Sequence, residues 1–199
     1  MTQPAAKRAT IDDLLAMPED GRHELIDGQI VRREATAFEH GSAQAGLAAW
    51  TSTCFKRKHE GSTGGWWIIT EGEVAYASGD CYLHDIVGWR RDRVPEAPTG
   101  RPVRIVPDWV CEVLSPGNWR NDTVVKFDAC FRHKVGHYWI VDVEHRMLTV
   151  YKWHPDGWIR LMTVEPGQRA RLEPFEAVEF EVAVLFGDDP GPEPARVVG

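Results

Sequence analysis

Residues 107–116, PDWVCEVLSP, followed at 121–134 by NDTVVKFDACFRHK, decide how this chain is read. The first stretch has the pattern of an apolar strand carrying one acid. Glu112 is flanked by Val110, Cys111, Val113 and Leu114, and an ionised carboxylate in so apolar a run is costly to bury unless something pairs it. Strand side chains alternate, so Asp108, Val110, Glu112 and Leu114 share one face. Ser115-Pro116-Gly117 ends the strand. The second stretch reads as a helix opening near Asn121 or Asp122, which places Lys126 about one turn inside it and within reach of the strand end. A lysine beside a carboxylate in a cleft is a catalytic pairing. The plainer alternative is a surface pair of Lys126 with Asp122 at i,i+4 spacing, worth only about a few tenths of a kcal/mol.

Upstream, Thr10 caps a short helix from Ile11 whose apolar face is Leu14, Leu15 and Met17, and Pro18 to Gly21 stops it. HELIDGQIVRRE (23–34) alternates around Asp27-Gly28, a two-residue hairpin signal because both turn positions must tolerate positive φ. Glu24 lies on the first strand of that hairpin. From Phe38 to Lys58 the spacing of Leu47, Trp50, Cys54 and Phe55 is helical, with small residues permitting close packing. WWIITEGEVAYASG (66–79) and YLHDIVGWRR (82–91) read as two strands, and VPEAPTGRPV (94–103) as a surface loop bordering the site. The third strand spans Asp108 to Leu114 and the second core helix about Asp122 to Lys134. YWIVDVEHRMLTVYKW (138–153) forms a hairpin turning near Glu144-His145, and Trp153 to Trp158 makes another turn. This order predicts an α/β domain over residues 1–186 with a mixed sheet, and a flexible tail over 187–199.

A chain of 199 residues can bury a substantial core as one domain without disulfides. The first residues, MTQPAAKRAT, lack the apolar segment of a signal peptide, and no apolar run has the length of a membrane span, so a cytoplasmic protein without a membrane partner is expected. Cys54, Cys81, Cys111 and Cys130 form no CxxC pair and read as small buried hydrophobes. Cys81-x-x-His84 and Cys130-x-x-His133-x-x-x-His137 have zinc-ligand residue types but not the paired spacing of an established zinc module. The net charge of −7 argues against tight nucleic-acid binding through phosphate neutralisation alone. It leaves room for an enzyme that needs local acid to hold a cation. Basic residues do cluster, at Lys56-Arg57-Lys58-His59, at Arg90-Arg91-Asp92-Arg93, and at Arg101 with Arg104. Trp89 and Trp119 are the tryptophans placed to stack on a base.

PDWVCEVLSP, the D-x-x-x-K of Asp122 to Lys126 and HYWIVD (137–142) together resemble the Uma2 family of restriction-endonuclease-like proteins, a branch of the PD-(D/E)xK nuclease superfamily. RHELIDGQIV (22–31) is similar to that family's first hairpin, His40 to its helix-opening histidine, and HDIVGW (84–89) to its first metal-ligand strand. The resemblance covers about Ile11 to Trp153. It departs from the pattern at His84, where a proline is usual, at Lys134-Val135-Gly136, where the family has a Gly-Val-Pro helix exit, and at His137, where an acid is usual.

The resemblance implies a restriction-endonuclease-like core of order α-β-β-β-α-β with a mixed sheet, preceded by an N-terminal helix and a β-hairpin. It implies a site of Asp85, Glu112 and Lys126, with the Val113 carbonyl as a further metal ligand and Glu24 and His40 as additional members. The superfamily lysine two residues after the acid is Leu114 here, so Lys126 would reach the same space from the following helix. Two carboxylates suit Mg²⁺, or Mn²⁺ in its place, and the expected reaction is hydrolysis of DNA phosphodiesters, with Lys126 orienting or helping to deprotonate the attacking water. The alternatives are a non-catalytic nucleic-acid- or protein-binding module on the same fold, and a hydrolase for another phosphoester. A homodimer is open.

Overall fold

In the computed structural model, which describes residues 8–18, 22–56 and 65–188, the chain opens with α1 (Ile11–Leu15) and the hairpin β1 (His23–Ile26) and β2 (Gln29–Arg32). Thr10 and Asp13 form a reciprocal capping box at the start of α1. Asp27 and Gly28, at φ 51 and 76, supply the two left-handed positions of the hairpin turn. There follow α2 (Phe38–Thr51), continued by a π-helical turn at Ser52–Lys56, and the strands β3 (Trp66–Ala75), β4 (Cys81–Arg90) and β5 (Trp109–Val113). A π-helical turn at Asn121–Val125 leads into α3 (Lys126–Arg132), then β6 (His137–Asp142), β7 (Met147–Lys152) and β8 (Ile159–Val164). Two short strands, β9 (Arg169–Ala170) and β10 (Phe180–Glu181), and a 3₁₀ turn at Val182–Phe186 complete it. The expected core is α2-β3-β4-β5-α3-β6.

The large sheet runs β2-β1-β4-β5-β6-β7-β8, with β3 on the other edge of β4. Among the named strands only β5 and β6 pair in parallel; a parallel pair needs a crossover, and the segment containing α3 provides it. β4 is the axis of the molecule. Along one edge it pairs with β3 from Cys81 opposite Ala75 to Arg90 opposite Trp66. Its other edge is divided, with β1 reaching it only at Cys81 and β5 only from Ile86 to Gly88. Between those pairings, from Tyr82 to Asp85, no strand of the described residues lies against that edge.

Each face of the sheet buries one core. In α2, His40, Ala43, Leu47 and Thr51 are buried at spacings of three and four, the stripe of a helix laid on a sheet. Ala43 and Leu47 join Ile86, Trp109, Cys111, Trp139 and Phe175 there. On the opposite face, Val87, Trp89 and Val110 pack with Tyr138, Ala129 and Cys130.

Two expectations change. The second core helix starts before Asp122, with helical backbone from Trp119 and a π turn at Asn121–Val125. The segment 94–103 covers the outer edge of β3, where Val103 bridges to Val74, and its Gly100, Arg101 and Val103 line one cavity together with Arg22, Glu71 and Leu83 of the gap. Trp89 cannot stack on a base: it is 1% exposed and its indole N–H donates to the Ile105 carbonyl. Trp119, by contrast, is 55% exposed. The helix stop at 19–21, the end of the first core helix with Arg57, Lys58 and His59, most of the Gly61–Gly65 loop, and the tail beyond 188 lie outside the described residues.

Candidate active site

A β4 edge without a neighbour leaves main-chain donors and acceptors that must be satisfied some other way. Here side chains from five segments do it. The Leu83 N–H donates to Glu24 Oε1 (2.9 Å), from β1. The Leu83 carbonyl accepts from Arg33 Nη1 (2.8 Å), just past β2, and from Lys126 Nζ (2.8 Å), on α3. The Asp85 N–H faces Glu112 Oε2 (3.4 Å), on β5, and the Asp85 carbonyl accepts from Gln44 Nε2 (2.8 Å), on α2. The gap in strand pairing is therefore the place where charged side chains enter the interior.

Asp85 and Glu112 stand opposite each other one step beyond the last β4–β5 partners, Ile86 and Cys111. Strand alternation breaks at this point. His84 meets Tyr76 and Tyr82 on the α3 face, while Asp85 meets His40 and Ile86 joins the core beneath α2. Opposite the break, Glu71 of β3 has φ 52. The Asp85 carboxylate lies in the seam, with Oδ2 accepting from the Val113 N–H (2.8 Å) and facing His40 Nε2 (3.1 Å), and Oδ1 accepting from Arg33 Nη2 (3.1 Å). Glu112 Oε2 lies 3.2 Å from Lys126 Nζ, and Glu112 Oε1 lies 2.5 Å from His84 Nδ1.

The π turn presents three residues to this seam. The Lys126 N–H bonds back to the Asn121 carbonyl, five residues earlier, which brings positions 121, 122 and 126 onto one side of the helix. The Tyr138 hydroxyl donates to the Asp122 carbonyl (2.7 Å) and holds the turn in place. Asn121 Nδ2 donates to Glu24 Oε2 (2.7 Å). Lys126 Nζ also lies 3.2 Å from Glu24 Oε1 and 3.1 Å from Asp122 Oδ1. Asp122 Oδ2 is buried without a hydrogen-bond partner among the described residues.

Glu24, Arg33, His40, His84, Asp85, Glu112, Asp122 and Lys126 are all buried. Burial pushes the carboxyls up, and where the nearest cations overcome it the shift reverses. Burial raises Asp85, but the His40 hydrogen bond and the charges of Arg33 and Lys126 hold it well below the usual carboxylate range. Glu24 is lowered, since Lys126 and Arg33 outweigh its burial. Burial, with the Asp85 charge nearby, raises Glu112 despite Lys126. Burial also raises Asp122, to about 7, with Glu112 and Asp85 adding repulsion against the pull of Lys126. Lys126 is raised, because Asp122, Glu112 and Glu24 together outweigh its burial, and it stays protonated. His84 is pushed down to about 3 by burial and by Lys126, so it is neutral. Its Nδ1–H then donates to Glu112, and its Nε2 accepts from the Tyr76 hydroxyl (2.8 Å).

The sequence-predicted residues Asp85, Glu112, Lys126, Glu24 and His40 come together in one cluster, and Val113 reaches it through its amide N–H. Arg33, His84, Asp122 and Asn121 complete the cluster and were not among the residues singled out as site members. His84 and Asp122 carried a usable signal: one is a polar residue in the apolar run 82–87, the other the first residue of D-x-x-x-K. Arg33 carried none, lying between the exposed Arg32 and Glu34.

The donor chemistry fits a hard divalent cation. Four carboxyl groups face two permanent cations, so full ionisation would leave two negative charges in excess. Burial first, and the neighbouring carboxylates second, raise Glu112 and Asp122, and one Asp122 oxygen has no hydrogen-bond partner among the described residues. The positions beside the Asp85 and Glu112 oxygens are taken by guanidinium, imidazole and ammonium groups. Among the described residues no three Asp, Glu, His or Cys side chains stand as a ready coordination sphere, nor is any helix long and apolar enough to cross a membrane.

Comparison with known proteins places the chain. The family model "Uma2: Putative restriction endonuclease" matches residues 11–185. Among solved structures, a putative nuclease belonging to DUF820 from Anabaena variabilis is similar in fold, with a TM-score of 0.71 at 20% identity, over 89% of this chain and 97% of that one. No curated protein matches the sequence.

Proposed function

Since the chain belongs to the Uma2 family of restriction-endonuclease-like proteins, we propose that it hydrolyses DNA phosphodiesters with a Mg²⁺ or Mn²⁺ ion held at Asp85 and Glu112. The observation that carries this reading is the convergence of Asp85, Glu112 and Lys126 in the gap between β1 and β5 on the edge of β4. When bound, a divalent cation supplies Lewis-acid stabilisation of the charge on the scissile phosphate.

The chain's own groups account for the rest. Lys126, kept protonated by its carboxylates, has no free base to accept a proton. Its part is to orient the attacking water and offset negative charge in the transition state. Asp122 Oδ2, a buried carboxyl oxygen without a hydrogen-bond partner among the described residues, is the chain's own acceptor for the water's proton in this reading. Neutral His84 fixes the Glu112 carboxylate through Nδ1, and Tyr76 fixes His84 in turn.

The test is incubation of the purified chain with duplex and single-stranded DNA at low salt, with Mg²⁺, with Mn²⁺ and with chelator. Cleavage with either ion and none with chelator is expected. Retained DNA binding without cleavage under every condition would favour the binding-module alternative instead.

A further inference from the structure

The cluster holds its carboxylates with two cations that are not equally fixed. Lys126 is fully buried, and its ammonium has four oxygen partners, on Leu83, Glu112, Glu24 and Asp122. Arg33 is held less completely. Its Nη1 and Nη2 bond to the Leu83 carbonyl and to Asp85 Oδ1, but its Nε–H is buried without a partner among the described residues. A buried unpaired donor costs free energy that a better placement of the same side chain would recover. Arg33 also sits just past the end of β2, and its neighbours Arg32, Glu34 and Ala35 are exposed, so the backbone that carries this buried side chain runs along the surface. The two Asp85 oxygens differ in the same way. Oδ2 is anchored by the Val113 N–H and His40, whereas Oδ1 is held by Arg33.

We propose that Arg33 is an exchangeable counter-ion: it holds Asp85 Oδ1 when no divalent cation is bound, and gives that oxygen up to the cation to engage a DNA phosphate. This rests on the metal-dependent reading above. A planar guanidinium with an unused N–H suits a phosphate, which accepts paired donors. The exchange keeps the buried site compensated in both states, since the arriving cation replaces the departing charge. It also explains why a site with suitable donors stands closed.

Titration with Mn²⁺ alone, followed calorimetrically on the full chain, separates this from a merely structural ion pair. Removing the competing charge in Arg33→Gln should tighten Mn²⁺ binding by about tenfold or more, while DNA cleavage falls by about a hundredfold. Arg33→Lys keeps a competing cation but loses the paired donors, so its Mn²⁺ affinity should stay near wild type while its cleavage falls. Circular dichroism confirms that each variant is folded. Mn²⁺ affinity unchanged or weakened in a folded Arg33→Gln protein would overturn the proposal and leave Arg33 a structural partner of Asp85. Should Arg33→Gln not fold, an Arg33→Lys protein that binds Mn²⁺ much more weakly than wild type, or cleaves normally, overturns it equally. Absence of Mn²⁺ binding in wild type and variants alike would refute the metal reading itself.

Discussion

Asp122 shows how far one side chain's setting can be pressed into measurement. Its carboxyl moves from 3.8 to about 7 because it is buried and repelled by Glu112 and Asp85. Between those values the folded state holds a proton that the unfolded state has released, so this group's contribution to stability declines as pH rises from about 4 to about 7. Wild type alone cannot isolate the effect. His84, pushed down to about 3 from 6.5, has the opposite sign: below 6.5 the unfolded state binds the extra proton, so its contribution declines as pH falls. The difference between wild type and Asp122→Asn removes the histidine from the comparison. Denaturant melts at pH 5 and pH 8 should show Asp122→Asn gaining on wild type at the higher pH, by up to a few kcal/mol. Parallel pH profiles would mean that Asp122 is not held neutral by its surroundings. At this scale the sequence was informative wherever a charge interrupts an apolar run. Glu112 between Cys111 and Val113 had to be paired, and Lys126 is its partner. Arg33 lay among polar neighbours, and only the sheet brings it to Asp85.

Elements position these residues by what they leave undone. β1 stops pairing with β4 at Cys81 and β5 does not start until Ile86, and the interval is the site. The alternation patterns that identified the strands carry no information about this, because pairing between residues 25 to 56 apart, Ile86 with Cys111 and Leu25 with Cys81, depends on the whole sheet and not on any window of sequence. Nor does NDTVV announce a π turn; that geometry is held in place by Tyr138 from β6. The hairpin at Asp27-Gly28 was legible because its backbone demands particular residues. Glycine has a comparable role at one position of β3. A Cβ on Gly72 would lie 2.3 Å from Val87 Cγ1 and 3.1 Å from Ile69 Cδ1, beside the point where Glu71 departs from strand geometry. Gly72→Ala should therefore destabilise the protein by about 1–3 kcal/mol through overpacking, read as a fall in denaturation midpoint. An unchanged midpoint would show that β3 and β4 are not packed this closely at the bend.

Across the whole molecule, the strand and helix order from Ile11 to Trp153 was readable, because each element has its own period and its own stop signals. The distribution of charge was not. The arginines at the end of β4 and beyond it cluster in the sequence, yet Arg90 pairs with Asp92, Arg93 with Asp108 and Arg101 with Glu73. On a chain of net charge −7, such pairs leave less positive surface for phosphates than the residue count suggests. On the proposed reading, substrate recognition would fall to groups at the gap, where a cation, Lys126 and the exchanged Arg33 would meet the phosphate. The central claim is that this gap is a metal-dependent phosphodiesterase centre, and single-turnover cleavage of DNA with Mg²⁺ or Mn²⁺ by wild type and a folded Lys126→Ala protein tests it most directly. The account predicts a rate lower by about a hundredfold or more in the variant, from loss of a transition-state contact. Cleavage at the wild-type rate by Lys126→Ala would contradict it and place the chemistry elsewhere.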